Sequence, residues 1–391
     1  MKSSELEPLF EPFKMRHINL RNRFIMPAMQ LGQARNNVPP EATIPYYQQR
    51  AQGGVALIIS EACGLDHPSS FWQPIFAKIA PNTVDVWGRT IEAVKRAGAH
   101  FFIQLWHPGA MRRIDPGLPE AAIPSLSPSG IFKAGHPSGR AMTKQELEDI
   151  KEAFVEAALL TKRTGGDGVE LHSAHGYLLD QFLWAETNVR DDEYGGQTLA
   201  ERARYPAEVV TAIRRAVGED FVIGCRFSQF KEIDYDATLV AQPDELGEFL
   251  SIMRRAGVDY FHVSTRRFSK PEWPGRSQND LGLAGWVKSM TDAPVITIGS
   301  VGLDTDTFSD LHENQDPKLR IQQDLALVLK RFERGEFDLI GVGRNHIANP
   351  DFVTMVRAGR FEELQCFNKA IHLKAFLDDF DLDGTIRGGV R

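Results

Sequence analysis

Short apolar runs alternate with amphipathic stretches along most of the chain. Each run is rich in Val, Ile, Leu and Phe and has the length of one strand, whereas apolar positions between the runs recur at helical spacing. Eight runs predict strands, at residues 23–29, 55–62, 101–106, 168–173, 221–228, 260–265, 294–300 and 337–344. Strands that alternate with helices in this way form parallel sheets, so the pattern predicts an α/β protein.

The stretches between the strands carry the start and stop signals of helices. Thr143 and Glu146 have the spacing of a capping box. The apolar positions that follow them share one helical face, at Leu147, Ile150, Phe154 and Ala158. Four stretches end in a basic turn followed by glycine, in "KRAGAH", "RRAVGED", "RRAGVDY" and "ERGEFD", and helices commonly stop in this way.

Eight strand–helix units predict a single closed (β/α)8 TIM barrel with loop insertions, and this fold places function at the carboxyl ends of the strands. We expect one domain over residues 1–391, with a longer insertion at 303–321 after strand seven and a C-terminal tail at 361–391. We treat the insertion as a surface loop, with a lid or a subunit interface as the alternatives.

Composition and charge exclude several classes of partner. Hydrophobic residues make up 42% and charged residues 25% of the chain, which is ordinary for a globular protein. The net charge of -7 comes with no basic stripe, so we expect no nucleic-acid partner. Cys63, Cys225 and Cys366 lie far apart, which argues against a disulfide framework or a zinc or iron–sulfur site. The N-terminus has acids and prolines where a signal peptide would have an apolar run. We therefore expect a cytoplasmic protein without a membrane partner.

Polar side chains lie at the ends of three predicted strands. Strand alternation turns Val169 and Leu171 towards the helices and Glu170 and His172 towards the barrel interior. The same rule places further inward residues near the top of the barrel: Gln104, Trp106 and Arg226. Each of them alone is more often a structural polar group than a catalyst. Together, at the functional end of the predicted barrel, they indicate an active site.

A metal site is the rival interpretation of His172 and His175. Residues three apart on a regular strand face opposite sides, and no cluster of carboxylates lies near them in the sequence. We therefore expect no metal.

Two strand ends have the composition of a phosphate site. "TIGSVG" closes the seventh predicted strand and "GVGRNHIANP" the eighth, where Asn349 and Pro350 are suited to start a short helix. Small residues let backbone N–H groups approach an anion, and Arg344 can bind it through two donors. Phosphate sites of TIM barrels commonly lie after these two strands. Ordinary turn glycines are the alternative.

Motifs along most of the chain resemble those of the Old Yellow Enzyme family of FMN-dependent ene-reductases. They are "LFEPFKMRHINLRNRFIMPAM", "ISEA", "QLWHPG", "DGVELHSAHGYLLDQFL", "DDEYGGQTLAERARYPAEVV" and "GVGRNHIANPDFV". The resemblance implies tightly but non-covalently bound FMN, NADH or NADPH as a transient reductant, and an activated alkene as the small-molecule substrate. A homo-oligomer is compatible with the resemblance. A single-domain member of the family is favoured, because no second nucleotide-binding domain or cysteine cluster follows the barrel.

The resemblance also implies a role for each matching residue. The flavin ring would contact Ala28, Met29, Gln30, Ala62, Gln104, His172 and Arg226. The phosphate would bind Gly299, Ser300, Gly343 and Arg344. His172 and His175 would form hydrogen bonds to the carbonyl oxygen of an α,β-unsaturated substrate, and Tyr177 would donate a proton. We also expect Trp106 and His107 to line the substrate pocket, with ordering of a loop as the alternative for His107.

The chemistry agrees with these roles. Hydride addition to the β-carbon makes negative charge grow on the carbonyl oxygen, and two imidazole donors stabilise such a charge. A phenol with an ordinary pKa of about 10 stays protonated at neutral pH and can supply the α-carbon proton. A rim tyrosine that only packs over the strand end is the alternative for Tyr177.

The chain departs from the family pattern at Gln30, where Thr or Cys is usual. Its effect on the flavin potential does not follow from the sequence. Trp72, Phe268 and Trp273 stay unassigned. For Arg387 and Arg391 in the tail, the alternatives are contact with the active site of a partner subunit and a disordered tail. The alternative functions are another FMN barrel such as a hydroxy-acid oxidase, a flavin-binding or sensor protein without efficient turnover, and a metal-dependent hydrolase.

Overall fold

Eight parallel strands close into a barrel in the computed structural model, which describes residues 2–313 and 315–372. The strands of the barrel, in chain order, are Phe24–Met26, Leu57–Gly64, His100–Trp106, Gly168–His175, Val222–Lys231, Tyr260–Ser264, Val295–Ile298 and Leu339–Gly341. The eight predicted strands and the TIM-barrel fold are therefore confirmed. The observed strands begin and end within a few residues of the predicted bounds. The later end of the fourth strand matters for the site.

A helix on the outside of the barrel follows each strand. These helices are Thr43–Gln52, Val84–Arg96, Lys144–Arg163, Arg204–Val217, Asp244–Ala256, Leu283–Met290, Ile321–Glu333 and Phe352–Ala358. The capping box is confirmed, because Thr143 Oγ1 accepts from the Glu146 N–H at 3.2 Å and a Glu146 oxygen accepts from the Thr143 N–H at 2.9 Å. The four predicted apolar positions of that helix are buried.

Glycine stops the helices as expected. Gly218 and Gly257 have φ angles of 75° and 119°, a region that residues with a Cβ rarely adopt. Each of them ends a helix whose last turn carries two arginines.

Shorter elements lie in the loops and at the ends of the barrel. They are the helices Leu178–Leu183, Leu199–Arg202, Thr307–His312, Arg344–Ala348 and Lys369–His372, the 3-10 turns Ser3–Phe10, Pro68–Ser70, Gly109–Met111, Pro119–Ala122 and Phe361–Glu363, and the strands Leu126–Ser127, Ile131–Lys133, His136–Pro137 and Arg140–Ala141.

A hairpin closes the N-terminal end of the barrel. Its strands, Phe13–Met15 and Ile18–Leu20, pack their buried side chains against Phe102 and Tyr260 at the start of two barrel strands. The opposite end stays open, and this is where the loops after the strands meet.

Two expectations concern regions away from the barrel core. Within the described residues, no helix combines the length and the apolar character that a membrane span requires. Arg387 and Arg391 lie outside the described residues.

Candidate active site

A cavity of about 1000 Å³ opens at the carboxyl ends of the barrel strands. Its walls contain fourteen of the fifteen residues that the sequence suggested for the site. These are Ala28, Met29, Gln30, Ala62, Gln104, Trp106, His172, His175, Tyr177, Arg226, Gly299, Ser300, Gly343 and Arg344. The fold thus brings together side chains that lie more than 300 residues apart in the sequence.

His107 is the exception, and the expectation that it lines the pocket is corrected. The ring is buried behind the wall, where Nε2 lies 2.9 Å from Ser69 Oγ and Nδ1 accepts from the Gly109 N–H at 3.0 Å. His107 therefore orders the loop after the third barrel strand. Trp106 does line the cavity, and it stacks on Trp72 with ring centroids 5.5 Å apart.

The fourth barrel strand brings both histidines to the same cavity. It runs to His175, two residues further than predicted, and a β-bulge separates Ser173 from His175. His175 has a φ of 66°, so the alternation of faces fails here and the prediction of opposite faces is wrong. The His172 ring lies 5.1 Å from that of His175 and 4.9 Å from that of Tyr177.

Buried polar contacts stabilise the backbone around His175. Asp180 accepts from the Gly176 N–H at 2.6 Å and from Lys231 Nζ at 2.7 Å, and both side chains of the ion pair are fully buried. Lys231 is also the register partner of His175 on the neighbouring strand. The unusual backbone at His175 is therefore fixed by groups that are inaccessible to solvent.

Both imidazoles are neutral at physiological pH. Burial, with the Arg226 cation as a second cause, lowers the pKa of His172 to about 3 and that of His175 well below its ordinary value. A neutral imidazole donates from one nitrogen and accepts at the other. His175 Nε2 lies 2.8 Å from Ser264 Oγ, whereas His172 Nδ1 is buried without a partner among the described residues.

Tyr177 forms a hydrogen bond that the sequence did not suggest. Its hydroxyl donates to Glu232 Oε2 at 2.7 Å, and burial together with this carboxylate raises the pKa of Tyr177 well above its ordinary value. Glu232 lies in the loop after the fifth strand and also lines the cavity. Its position at a strand end was the only signal in the sequence, and nothing in the spacing linked it to Tyr177.

A buried carboxylate beneath the cavity orients Gln104. Glu170 Oε1 accepts from Gln104 Nε2 at 2.7 Å, and Glu170 Oε2 lies 2.9 Å from Tyr260 Oη and 2.8 Å from His262 Nδ1. The Gln104 carbonyl oxygen is left without a partner among the described residues, so it faces the cavity as an acceptor. Glu170 also attracts the neighbouring Arg226 guanidinium. The predicted inward direction of Glu170 is confirmed, but its role was not foreseen.

One end of the cavity is built to receive an anion. Ser300, at a φ of 56°, and Gly343 contribute backbone N–H groups that have no acceptor among the described residues, as do the residues that follow each of them. A Cβ at Gly299 would lie 2.5 Å from Thr265 Oγ1, so only glycine fits there. The Arg344 guanidinium donates to Ser300 Oγ at 2.9 Å. Free N–H groups beside a guanidinium are the composition of an anion site.

The insertion after the seventh strand forms part of this wall, so the expectation of a surface loop is corrected. Asp306, Thr307 and Asp310 line the cavity. Asp306 caps the helix Thr307–His312 by accepting from the Ser309 N–H at 2.9 Å, and Asp310 pairs with Arg344. A polar loop gives no periodicity that would have predicted this contact.

Gln30 is held by a second buried carboxyl. Its Nε2 donates to Glu61 Oε2 at 3.0 Å, and the Leu31 N–H donates to the same oxygen at 3.3 Å. Burial raises the pKa of Glu61 to about 8. In the part of the chain that the structure describes, no three His, Cys, Asp or Glu side chains group as metal ligands do.

Residues 8–319 match the family described as NADH:flavin oxidoreductase / NADH oxidase. The chain is 32% identical over 367 residues to "NADH oxidase" of Thermoanaerobacter brockii and 30% identical over 380 residues to "Multifunctional alkene reductase/demethylase OYE" of Caballeronia cordobensis. These alignments cover 91% and 93% of the chain but 52% and 51% of the relatives. The chain therefore spans about half the length of these two relatives.

A solved structure shares the fold over nearly the whole chain. Morphinone reductase in complex with tetrahydroNAD superposes with a TM-score of 0.70 at 27% identity, and the alignment covers 90% of each chain.

Proposed function

The chain belongs to the NADH:flavin oxidoreductase / NADH oxidase family, which is the Old Yellow Enzyme family, and from this premise we propose that it reduces the C=C bond of α,β-unsaturated carbonyl compounds. FMN is the cofactor, and NADH or NADPH is the reductant. The observation that carries the proposal is the convergence of two neutral imidazoles and a protonated phenol on one cavity wall, with the His172 ring 4.9 Å from that of Tyr177. A relative named as an alkene reductase supports the same reaction.

The cavity fits FMN in size and in the distribution of polar groups. A volume of about 1000 Å³ is at the upper end of the range for small-molecule sites, which accommodates a flavin together with a substrate. The anion end offers a phosphate the Arg344 guanidinium and backbone N–H groups that have no acceptor in the part of the chain that the structure describes. The Gln104 oxygen is an acceptor for a ring N–H, and the Arg226 guanidinium has a buried Nε without a partner among the described residues.

The residues that would hold FMN divide into two groups. The ring would contact Ala28, Met29, Gln30, Ala62, Gln104, His172 and Arg226. The phosphate would bind Gly299, Ser300, Gly343 and Arg344. When bound, FMN supplies the hydride chemistry of the reaction, taking a hydride from the nicotinamide and passing one to the β-carbon of the alkene.

His172 and His175 activate the alkene. Charge grows on the substrate carbonyl oxygen as the β-carbon accepts a hydride, and N–H donors fixed beforehand stabilise that charge without reorganisation. Because burial holds the pKa of both rings far below neutrality, the donors keep one N–H each across the physiological pH range. Their fixed backbone, with Lys231 and Asp180 beneath it, keeps the two rings at their separation of 5.1 Å.

Tyr177 completes the reduction by protonating the α-carbon. Its raised pKa keeps the phenol protonated at neutral pH, so Tyr177 carries the proton that this step requires. The aromatic side chains around it, Trp72, Phe76 and Trp106, favour flat and apolar substrates. They also exclude water from the region around the substrate α-carbon, where negative charge develops.

The nicotinamide uses the same cavity as the alkene in a ping-pong cycle. No Gly-x-Gly-x-x-Gly fingerprint follows a strand of the chain, so a separate dinucleotide site has no support in the sequence. The morphinone reductase structure is described as a complex with tetrahydroNAD, which supports a nicotinamide site within this fold.

Substitution of the two imidazoles tests the proposal. His172→Ala and His175→Ala should each lower the rate of 2-cyclohexenone reduction by about 100-fold or more, the cost of removing one oxyanion donor. Binding of a phenol, which presents a comparable oxygen, should weaken in parallel while FMN stays partly bound through its other contacts. His136→Ala, at an exposed histidine of the loop after the third strand, is the matched control. Turnover at the wild-type rate in both active-site variants would contradict the proposal.

A further inference from the structure

Tyr177 has one hydrogen-bond partner among the described residues, the Glu232 carboxylate at 2.7 Å. A phenol has a single proton, so when Glu232 is ionised this proton points at the carboxylate and away from a substrate. When Glu232 is protonated, the direction reverses, because the carboxylic acid then donates to the phenol oxygen. The protonation state of Glu232 therefore decides where the Tyr177 proton points.

Glu232 also connects the phenol to solvent. Tyr177 lies in the aromatic wall and is partly buried, whereas the Glu232 side chain is 42% exposed at the cavity mouth. One of its oxygens contacts Tyr177 and the other lies 3.6 Å from His175 Nδ1. A group in this position can take a proton from water and hand it to the phenol.

The other ionisable groups around Tyr177 and Glu232 do not serve as the source of this proton. Burial keeps the His172 and His175 rings unprotonated at neutral pH. Arg226, on the fifth strand, keeps its proton at all accessible pH values. Lys231 is fully buried in its pair with Asp180. Burial and the nearby Glu232 charge raise the pKa of Tyr235, in the same loop, well above its ordinary value, so its hydroxyl keeps its proton at neutral pH.

We propose that Glu232 is the proton relay that reprotonates Tyr177 during alkene reduction, an inference that rests on the proposed function. The Tyr177 O–H bond breaks as the C–H bond at the α-carbon forms, and its electron pair stays on the phenol oxygen. The Glu232 O–H bond breaks in the same event and its proton restores the phenol. The Glu232 carboxylate then takes one proton from water, so protons balance and no further reactant is needed.

The sign of the pH dependence follows from this role. The relay requires protonated Glu232, so alkene reduction slows as pH rises through the pKa of this carboxyl. Partial desolvation against the cavity wall raises that pKa, although the Tyr177 hydrogen bond and the Arg226 charge oppose the shift. The inflection therefore lies above the ordinary range of a glutamate.

Glu232→Gln tests the relay because glutamine keeps the hydrogen bond but cannot transfer its proton. The rate at which 2-cyclohexenone reoxidises the reduced holoenzyme should fall by about 100-fold at acidic pH, the lower end of the range for general acid catalysis. The gap between variant and wild type should narrow as pH rises, and the inflection should be absent from the variant. Asp236→Asn, at an exposed carboxylate of the same loop, is the matched control.

A second measurement tests whether the Tyr177 phenol responds to the ionisation of Glu232, and it needs no catalytic turnover. In protein labelled with 13C at tyrosine Cζ, the Tyr177 resonance is identified by its loss in Tyr177→Phe. It should shift with the ionisation of Glu232 in wild-type holoenzyme and stay constant in Glu232→Gln. A Tyr177 resonance that does not titrate in the wild type would overturn the relay even if the glutamine variant failed to fold.

The outcomes separate the relay from the proposed function. Wild-type protein that reduces no alkene at any pH would overturn both. Wild-type protein that reduces alkenes, together with a Glu232→Gln variant that keeps the wild-type pH profile, would overturn the relay alone.

Discussion

Lys231→Met should destabilise the protein strongly, although the residue contacts neither the proposed cofactor nor the substrate. Lys231 Nζ lies 2.7 Å from Asp180 Oδ1, and neither side chain is exposed. Burial raises the pKa of Asp180 and lowers that of Lys231, and each partner opposes the shift of the other. Methionine fills a similar volume but leaves the Asp180 carboxyl buried without its partner.

The size of the effect follows from this geometry. Removing one partner of a buried ion pair costs about 3–5 kcal/mol, because an uncompensated charge stays behind. A 391-residue chain unfolds with an entropy of about 0.8 kcal/mol/K at about 2.1 cal/mol/K per residue. A loss of about 4 kcal/mol therefore lowers the Tm by about 5 °C.

Urea unfolding at neutral pH and thermal melts of the holoenzyme measure this loss. Adding Asp180→Asn to Lys231→Met should recover at least about half of it, since asparagine removes the charge and retains an acceptor for the Gly176 N–H. Lys330→Met, at an exposed lysine of the helix Ile321–Glu333, is the control. A Lys231→Met variant with the Tm of this control would refute the reasoning.

Two further predictions follow from buried ionisable side chains. Burial lowers the pKa of His346 to about 4, so the unfolded chain binds a proton that the folded chain does not. The free energy of unfolding therefore falls by about 2 kcal/mol from this residue as pH drops from about 7.5 to 5. His346→Asn should reduce the pH dependence of the free energy of unfolding by that amount in urea titrations, and an unchanged slope would contradict the assignment. Asp310→Asn should tighten FMN binding by about tenfold or more, because Asp310 competes with an anion for Arg344; flavin fluorescence quenching measures the affinity, and weaker binding would contradict this.

Local periodicity was sufficient for the barrel. The eight strands and the capping box at Thr143 depend on neighbours in the sequence, so their signals are present in short windows. The site was predictable where it lies at strand ends, because the fold itself brings His172, Gln104 and Arg226 to one place.

The remaining features of the site depend on contacts that no short window contains. Tyr177 and Glu232 are 55 residues apart, and Gln104 and Glu170 are 66 residues apart. The β-bulge before His175 breaks the alternation from which faces were assigned. The imidazole of His107 has the same local sequence signal whether it turns into the cavity or behind its wall, and only the hydrogen bonds to Ser69 and Gly109 decide the direction.

The most direct test of the proposed function is the visible absorption of the purified protein under anaerobic conditions, as NADH or NADPH and then 2-cyclohexenone are added. We predict a flavin band that bleaches with the nicotinamide and returns with the enone, which would establish both half-reactions in one cuvette. A band that bleaches but returns only when oxygen is admitted would contradict alkene reduction, and a protein that takes up no FMN would contradict the cofactor site.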